Sequence, residues 1–106
     1  MSYRFMRVMI FFDLPVGTSE ERRNYAKFRK YLVKNGFIMM QESVYSKLAL
    51  NPSIANAVVE NIRKNKPPVG LVQMMVLTEK QYSKMEIVVG NAQSTVLESD
   101  ERLVIL

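Results

Sequence analysis

The sequence contains no cysteine and no histidine. Without cysteine there is no disulfide framework, no zinc–thiolate site and no thiol nucleophile. Without histidine there is neither an imidazole base nor a histidine-ligated metal ion. Any chemistry must therefore rest on carboxylates, hydroxyls, lysine, arginine or a metal ion held by oxygen ligands.

Long apolar runs are missing as well. The longest unbroken run is Val8 to Phe12, and Asp13 follows it directly. A membrane helix needs about 20 apolar residues, and a signal-peptide core also needs more than this run supplies. We therefore expect a cytoplasmic protein that does not cross a membrane.

The 106 residues suffice for one domain, and their charge is unevenly spread. Hydrophobic residues make up 48% of the chain, which is enough for a core. Fifteen lysines and arginines exceed ten acidic residues, so the net charge is +5 and the pI is about 9.6. Six basic and two acidic residues fall within 18–36, whereas residues 70–106 have a net charge of −2. This excess predicts a polyanionic partner, either nucleic acid or an anionic membrane face.

Hydrophobic spacing predicts alternating strands and helices. A buried strand over Phe5–Phe12 ends before a Leu-Pro turn. Thr18 and Glu21 predict a capping box at the start of the first helix, and Gly36 predicts its end. The later predicted segments are one or two strands over 37–50, a helix from Asn51-Pro52 to Lys66-Pro67-Pro68, a strand over Leu71–Leu77, a helical turn over Thr78–Gln81, and strands at Ile87–Val89 and Leu103–Ile105.

The resulting βαββαβ order is typical of an α+β sandwich of the ferredoxin-like kind, in a single domain over 1–106. Two helices on one face of a small antiparallel sheet leave its other face bare. If that face is apolar, pairing with a second copy is a simple way to cover it. We expect a homodimer in which the C-terminal strands, about 86–106, pack on the partner.

Asp13 is the residue that most suggests chemistry. It follows a buried strand, and ligand sites often lie at such strand ends, although a turn aspartate bonding its own backbone is the alternative. Mg²⁺ commonly takes one or two carboxylates together with phosphates and waters. A dimer with Asp13 near its twofold axis would supply two carboxylates. Since no general base is visible, hydrolysis would require a water activated by a divalent ion.

Two basic clusters are candidates for phosphate contact. Backbone contacts of this kind position a duplex without reading its sequence. The alternative for the first cluster is a solvated amphipathic helix face. The candidates are Arg22, Arg23, Lys27 and Lys30 in the first helix, and Arg63, Lys64 and Lys66 at the end of the second.

Several segments carry a resemblance along nearly the whole chain. They are Phe11-Phe12-Asp13-Leu14-Pro15, Arg22-Arg23 with Phe28–Leu32, Gly36-Phe37 with Gln41–Tyr45, Thr78–Tyr82 and Asp100–Leu103. Together they resemble the second CRISPR-associated protein of spacer acquisition. The helix and the last two segments are most similar to members from type II-A systems.

This resemblance implies a ferredoxin-like homodimer with metal-dependent endoribonuclease activity, or in some members a double-stranded DNA nuclease. It also implies a scaffold between two dimers of the first CRISPR-associated protein, the integrase, that supports incoming DNA. The family's catalytic and metal-binding aspartate falls on Asp13, with Mg²⁺ or another divalent ion as cofactor. Ser43 and Tyr45 match a family string near the active region and dimer interface.

Three functions compete. The chain is a scaffold that binds double-stranded DNA, a nuclease on DNA or RNA that uses Asp13, or an RNA-recognition motif. The last requires an aromatic signature on its third core strand, which the segment over 70–75 lacks, and is set aside. The scaffold and the nuclease are compatible, and the missing second acid and base indicate that any hydrolysis is slow.

Overall fold

The central strand is β1, Met6–Asp13, in the computed structural model, which describes residues 5–90. Its aromatic and β-branched residues suit a pleated surface that is packed on both sides. Because side chains alternate along a strand, β1 serves both faces of the sheet. One face receives Val8, Ile10 and Phe12, and the other receives Arg7, Met9, Phe11 and Asp13.

Helix α1, Ser19–Lys34, begins with the predicted capping box. The Thr18 hydroxyl accepts a hydrogen bond from the Glu21 amide at 3.1 Å, and the Glu21 carboxylate accepts one from the Thr18 amide at 3.0 Å. Gly36 follows the helix with φ of +89°, the left-handed conformation expected of a C-terminal glycine. Both predicted ends of the first helix are confirmed.

The segment over 37–50 forms two strands, which settles the alternative between two strands and one bent strand. Strands β2, Ile38–Gln41, and β3, Val44–Ala49, pair as an antiparallel hairpin. Ser43 has a φ of +67° in the connecting turn, and the pairing register shifts between Met39 and Gln41. An irregular hairpin of this kind bends the end of β2.

The remaining elements follow in the predicted order. Helix α2, Pro52–Lys64, begins with the Asn51 side chain accepting a hydrogen bond from the Ile54 amide at 2.8 Å. Strand β4, Leu71–Thr78, leads directly into the short helix α3, Glu79–Tyr82. The sheet order is β2-β3-β1-β4 with antiparallel pairs throughout, so the ferredoxin-like βαββαβ fold is confirmed.

The core lies between the sheet and helices α1 and α2. Phe12 packs edge-on against Phe28 with ring centroids 5.3 Å apart and stacks on Tyr45 at 5.6 Å. Ala55 and Ile62 bring α2 onto the same cluster, whereas Ile54 on the same helix is 41% exposed. The other buried hydrophobic members are Val8, Ile10, Leu14, Leu32, Phe37 and Ala49.

We call the face of the sheet opposite α1 and α2 the outer face. Helix α3 is tied against part of it by Arg7, whose guanidinium donates two hydrogen bonds to Glu79 at 2.8 and 2.6 Å. The same guanidinium lies 4.2 Å from the ring centre of Tyr82, and the Tyr82 hydroxyl donates to Met40 Sδ at 3.0 Å. Tyr82 therefore links β1 to β2 across β3. Ser46 of β3 is completely buried.

The end of the described chain differs from the prediction. Ile87–Val89 belongs to no strand within residues 5–90, and Val88 and Val89 are 82% and 90% exposed. None of the strands in the described part of the chain offers them backbone partners, and their pairing with a second copy stays a prediction. The strand at Leu103–Ile105 lies outside the described residues. Within residues 5–90, no helix has the length and apolar character that a bilayer crossing requires.

Candidate functional site

Asp13 lies at the end of β1 on the outer face. Its backbone pairs with Leu71 at the start of β4, and its side chain is exposed. A shallow cavity of about 190 Å³ opens beside it. The lining residues are Phe11, Phe12, Asp13, Ser43, Val44, Leu71 and Gln73. The carboxylate is thus available to an external partner at one end of an apolar surface.

Ser43 and Tyr45 have different relations to Asp13. The Ser43 carbonyl accepts a hydrogen bond from the Phe12 amide at 3.1 Å, and Ser43 lines the same cavity as Asp13. Tyr45 is only 1% exposed and lies in the core, on the opposite face of the sheet. Of the two predicted residues, the structure brings only Ser43 next to the carboxylate.

Gly70 allows β4 to start directly against the loop that follows Asp13. Its φ is +106°, and an added Cβ atom would lie 2.6 Å from Leu14 Cδ2 and 3.0 Å from the Asp13 carbonyl oxygen. Leu14 is itself buried, so it has little room to move. The absence of a side chain at Gly70 therefore permits the close approach of β4 to the backbone of Asp13 and to Leu14.

The described residues offer only part of a metal site. Within residues 5–90 no group of three or more acidic residues is arranged to hold a metal ion. Asp13 nevertheless fits a divalent ion as a single exposed carboxylate, because Mg²⁺ retains waters and shares substrate phosphates. Ser43 and Gln73 add polar groups to the same cavity. Asp13 is the one acidic residue among the described residues that line this cavity.

The basic residues of α1 form a stripe along the helix. Positions 23, 27, 30 and 34 are spaced i, i+4, i+7 and i+11, which places them on one side of an α-helix. We call this set the basic stripe: Arg23, Lys27, Lys30 and Lys34, all of them exposed. Its position on the helical layer separates it from the outer face of the sheet.

Arg22 lies outside this stripe. Its guanidinium donates hydrogen bonds to the carbonyl oxygens of Val16 and Gly17, both at 3.2 Å. Arg63 is likewise engaged, since it forms a surface ion pair with Glu60 on the same helix. These two arginines have local partners, and Lys66 Nζ likewise donates to the Arg63 carbonyl oxygen at 3.2 Å. Lys27, Lys64 and Lys66 have no acidic partner among the described residues.

The structure brings the two predicted basic clusters together. Lys27 of α1 faces the end of α2 across a cavity of about 270 Å³, which we call the α1–α2 groove. Its lining residues are Asn24, Lys27, Phe28, Tyr31, Lys64, Asn65, Lys66, Pro67 and Pro68. Lys27 of the first predicted cluster therefore meets Lys64 and Lys66 of the second around one groove.

Sequence reasoning missed three features of this surface. Lys34 belongs to the basic stripe, and its spacing of four from Lys30 was the available signal. Tyr31 lines the groove, but only the tertiary fold brings it near the end of α2. Gln73 joins the Asp13 cavity through the β1–β4 register, for which the sequence carries no signal.

Comparisons with known proteins agree on one family. Residues 6–85 match the family model described as CRISPR associated protein Cas2. A protein of Treponema denticola named CRISPR-associated endoribonuclease Cas2 is 59% identical over 95% of this chain and 100% of its own length. Proteins of the same name from Ligilactobacillus salivarius and Streptococcus mutans serotype c (strain ATCC 700610 / UA159) are 48% and 45% identical, again over 95% of this chain and over 100% and 93% of their own.

A solved structure supports the architecture. A crystal structure of a Cas2 protein superposes with a TM-score of 0.56 and covers 90% of this chain and 98% of its own, at 16% sequence identity. At that identity the similarity concerns the fold alone. It agrees with the βαββαβ order and with the sheet described above.

Proposed function

The chain belongs to the CRISPR-associated Cas2 family, and on this basis we propose that it acts as a homodimer that binds double-stranded DNA during spacer acquisition. In this role it joins the integrase, the first CRISPR-associated protein, and supports the DNA between integrase dimers. Asp13 provides a metal-dependent endonuclease function at the dimer.

The observation that carries this proposal is the division of the surface into two layers. The basic stripe and the α1–α2 groove lie on the helical layer, whereas the outer face carries exposed apolar side chains. Leu71 and Met75 there are 55% and 53% exposed, and the Asp13 carboxylate lies beside them. A dimer formed through the outer faces would bury this apolar surface and leave both basic layers open to DNA.

The same arrangement assigns a role to Asp13. Two outer faces packed together would bring the ends of two β1 strands toward one twofold axis. A divalent ion held there would supply Lewis-acid polarisation of a phosphodiester. Asp13 would bind the ion from each chain, while Ser43 and Gln73 are placed to orient the substrate with their polar groups.

The dimer is tested by a charged residue in the outer face. We expect Met75→Glu to shift the protein from dimer to monomer in sedimentation-velocity measurements, because it would bury a carboxylate without a partner. Val33→Glu is the matched control, since Val33 is 51% exposed on α1. A dimer that persists in Met75→Glu with the affinity of the control would place the interface elsewhere.

DNA binding is tested by removing three charges from the basic stripe. The triple variant Arg23→Gln, Lys30→Gln, Lys34→Gln should bind a blunt duplex more weakly and with a smaller salt dependence. Each lost phosphate contact lowers the slope of log K against log salt by about 0.9. The matched control, Arg29→Gln, Lys80→Gln, Lys84→Gln, removes the same charge outside the stripe. Equal losses in both variants would contradict a localised DNA surface.

A nuclease that acts alone is the second candidate function. The relatives' printed name, endoribonuclease, and the exposure of Asp13 favour it. Asp13→Asn should abolish Mg²⁺-dependent cleavage of RNA or DNA and leave duplex binding and spacer integration intact. If a folded Asp13→Asn protein no longer supports integration, the scaffold role is refuted and the nuclease is the main function.

A further inference from the structure

The α1–α2 groove has a composition that phosphate contact alone does not explain. Three of its lining residues are lysines, Lys27, Lys64 and Lys66, and none of the described lining residues is acidic. The lysines come from two segments that are far apart in sequence and meet on either side of the cavity. A positive potential concentrated in a concave site attracts an anion more strongly than the same charges on a flat surface.

The apolar part of the lining is built from flat rings. Phe28 and Tyr31 lie one helical turn apart on α1, with ring planes inclined by 16° and centroids 6.5 Å apart. Phe28 is buried in the core, whereas Tyr31 is half-buried and closes one side of the cavity. Pro67 and Pro68 line the cavity as well, where the chain leaves α2.

An aromatic side chain cannot stack on the bases of an intact duplex from the backbone side, because those bases are paired and stacked inside. They are useful to an unpaired nucleotide, whose base can stack on a tyrosine while its phosphate meets a lysine. The cavity of about 270 Å³ is near the lower end of the range for small-ligand sites, about 300–1,000 Å³. It therefore suits one nucleotide unit, not a double helix.

We propose that the α1–α2 groove binds one unpaired nucleotide of a nucleic acid strand. Its base stacks on Tyr31, and its phosphate contacts Lys27 together with Lys64 or Lys66. Asn24 and Asn65 supply polar groups at the same cavity. This inference rests on the proposed nucleic-acid function, but it concerns a site that shares only Lys27 with the basic stripe and no lining residue with the Asp13 cavity.

The direct test uses the full chain and a pentathymidylate, which has no paired bases. In ¹H–¹⁵N spectra, its addition should shift the amide signals of Asn24, Tyr31 and Asn65 most strongly. A blunt hairpin duplex of the same phosphate count should shift these three signals less than those of the basic stripe. Shifts by pentathymidylate that avoid the groove would overturn the proposal.

Variants separate the stacking contribution from the charge. Tyr31→Ala should weaken pentathymidylate binding about fivefold or more, and Tyr31→Phe should restore it, because stacking on one aromatic side chain is worth at least about that factor. Lys64→Gln, an exposed change that leaves the core intact, should lower the salt slope by about 0.7. Lys84→Gln is the charge-matched control and should change neither quantity.

The results also separate this proposal from the duplex-binding proposal. We expect the groove variants to weaken the binding of pentathymidylate and to leave the affinity for the blunt duplex unchanged. We expect the stripe variants to weaken the binding of the duplex and to leave the affinity for pentathymidylate unchanged. Unchanged affinity in Tyr31→Ala, or displacement of pentathymidylate by inorganic phosphate at equal concentration, would show a plain anion site and refute the proposal. Loss of duplex binding alone in the stripe variants would leave the groove proposal standing.

Discussion

Gly70→Ala offers a sharp test of how the Asp13 loop is positioned. An alanine at φ of +106° is strained, and its Cβ atom would lie 2.6 Å from the buried Leu14 and 3.0 Å from the Asp13 carbonyl oxygen. Backbone strain of this kind costs about 1–3 kcal/mol, and forcing an extra methyl group into a packed site costs about 1–3 kcal/mol more. We therefore expect the free energy of unfolding to fall by several kcal/mol.

A matched control isolates the steric part of that loss. Gly36 also has a positive φ, +89°, but an added Cβ there would meet only the flexible end of Lys47, at 3.6 Å. Gly36→Ala should therefore show the backbone strain alone. The difference between the two variants, about 2 kcal/mol, corresponds to about 8–16 °C in melting temperature for a domain of this size.

The assay is urea unfolding at one fixed protein concentration, because dimerisation would otherwise shift the midpoint. Both variants should keep the wild-type m-value and differ in midpoint. If Gly70→Ala loses no more stability than Gly36→Ala, the close packing of β4 against the loop after Asp13 does not exist in solution.

Three further changes test other contacts by the same unfolding assay. Glu79→Gln should lower the free energy of unfolding by about 1.5–3 kcal/mol, because it leaves the partly buried Arg7 guanidinium without its charged partner. A decrease below about 0.5 kcal/mol would show that α3 is not held to the sheet by this ion pair. Thr18→Ala should lower the free energy of unfolding by about 1 kcal/mol, because the helix cap is lost, whereas Thr18→Ser should lower it little. Equal decreases in the two variants would exclude the hydroxyl as the cause. Ser46→Ala should be neutral or stabilising, since the buried Ser46 hydroxyl has no hydrogen-bond partner within residues 5–90, and a large loss would reveal a bond that the structure lacks.

Local signals made the element order predictable. The capping box at Thr18, the glycine after α1 and the Asn51-Pro52 pair each act within a few residues, so the helix ends could be read from the sequence. The spacing of four between Phe28 and Leu32 is typical of one face of a helix, and both residues are buried.

Features that depend on strand pairing could not be read in the same way. Tyr45 was assigned to an active region, but the β1–β3 register places it opposite Ile10 and turns its ring into the core. Ile54 fits the inward spacing of α2, yet the rotation of that helix on the sheet leaves it exposed. The pairing register of β3 determines the face on which Tyr45 lies, and the rotation of α2 determines the exposure of Ile54. Tertiary packing sets both.

The candidate site also contains features that the sequence predicted and features that it did not. Asp13 was identified because it directly follows a buried strand, and its exposure on the sheet agrees with that position. The meeting of Lys27 with Lys64 and Lys66 was not foreseen, because it depends on how α1 and the end of α2 lie on the sheet. The spacing of residues in the sequence predicts which side chains are neighbours on one helix or strand. It does not predict which side chains of two different helices or strands lie close together.

The alternation of side chains between the two faces of the sheet also limits how many residues β1 can contain. Deleting one residue between Met9 and Asp13 would shift the pairing by one position and exchange the two faces of the strand. The carboxylate would then turn toward the core, and Phe12 would leave its stack for the outer face. Surface loops in general tolerate insertions, but we expect the number of residues from Arg7 to Asp13 to be constrained by the strand pairing.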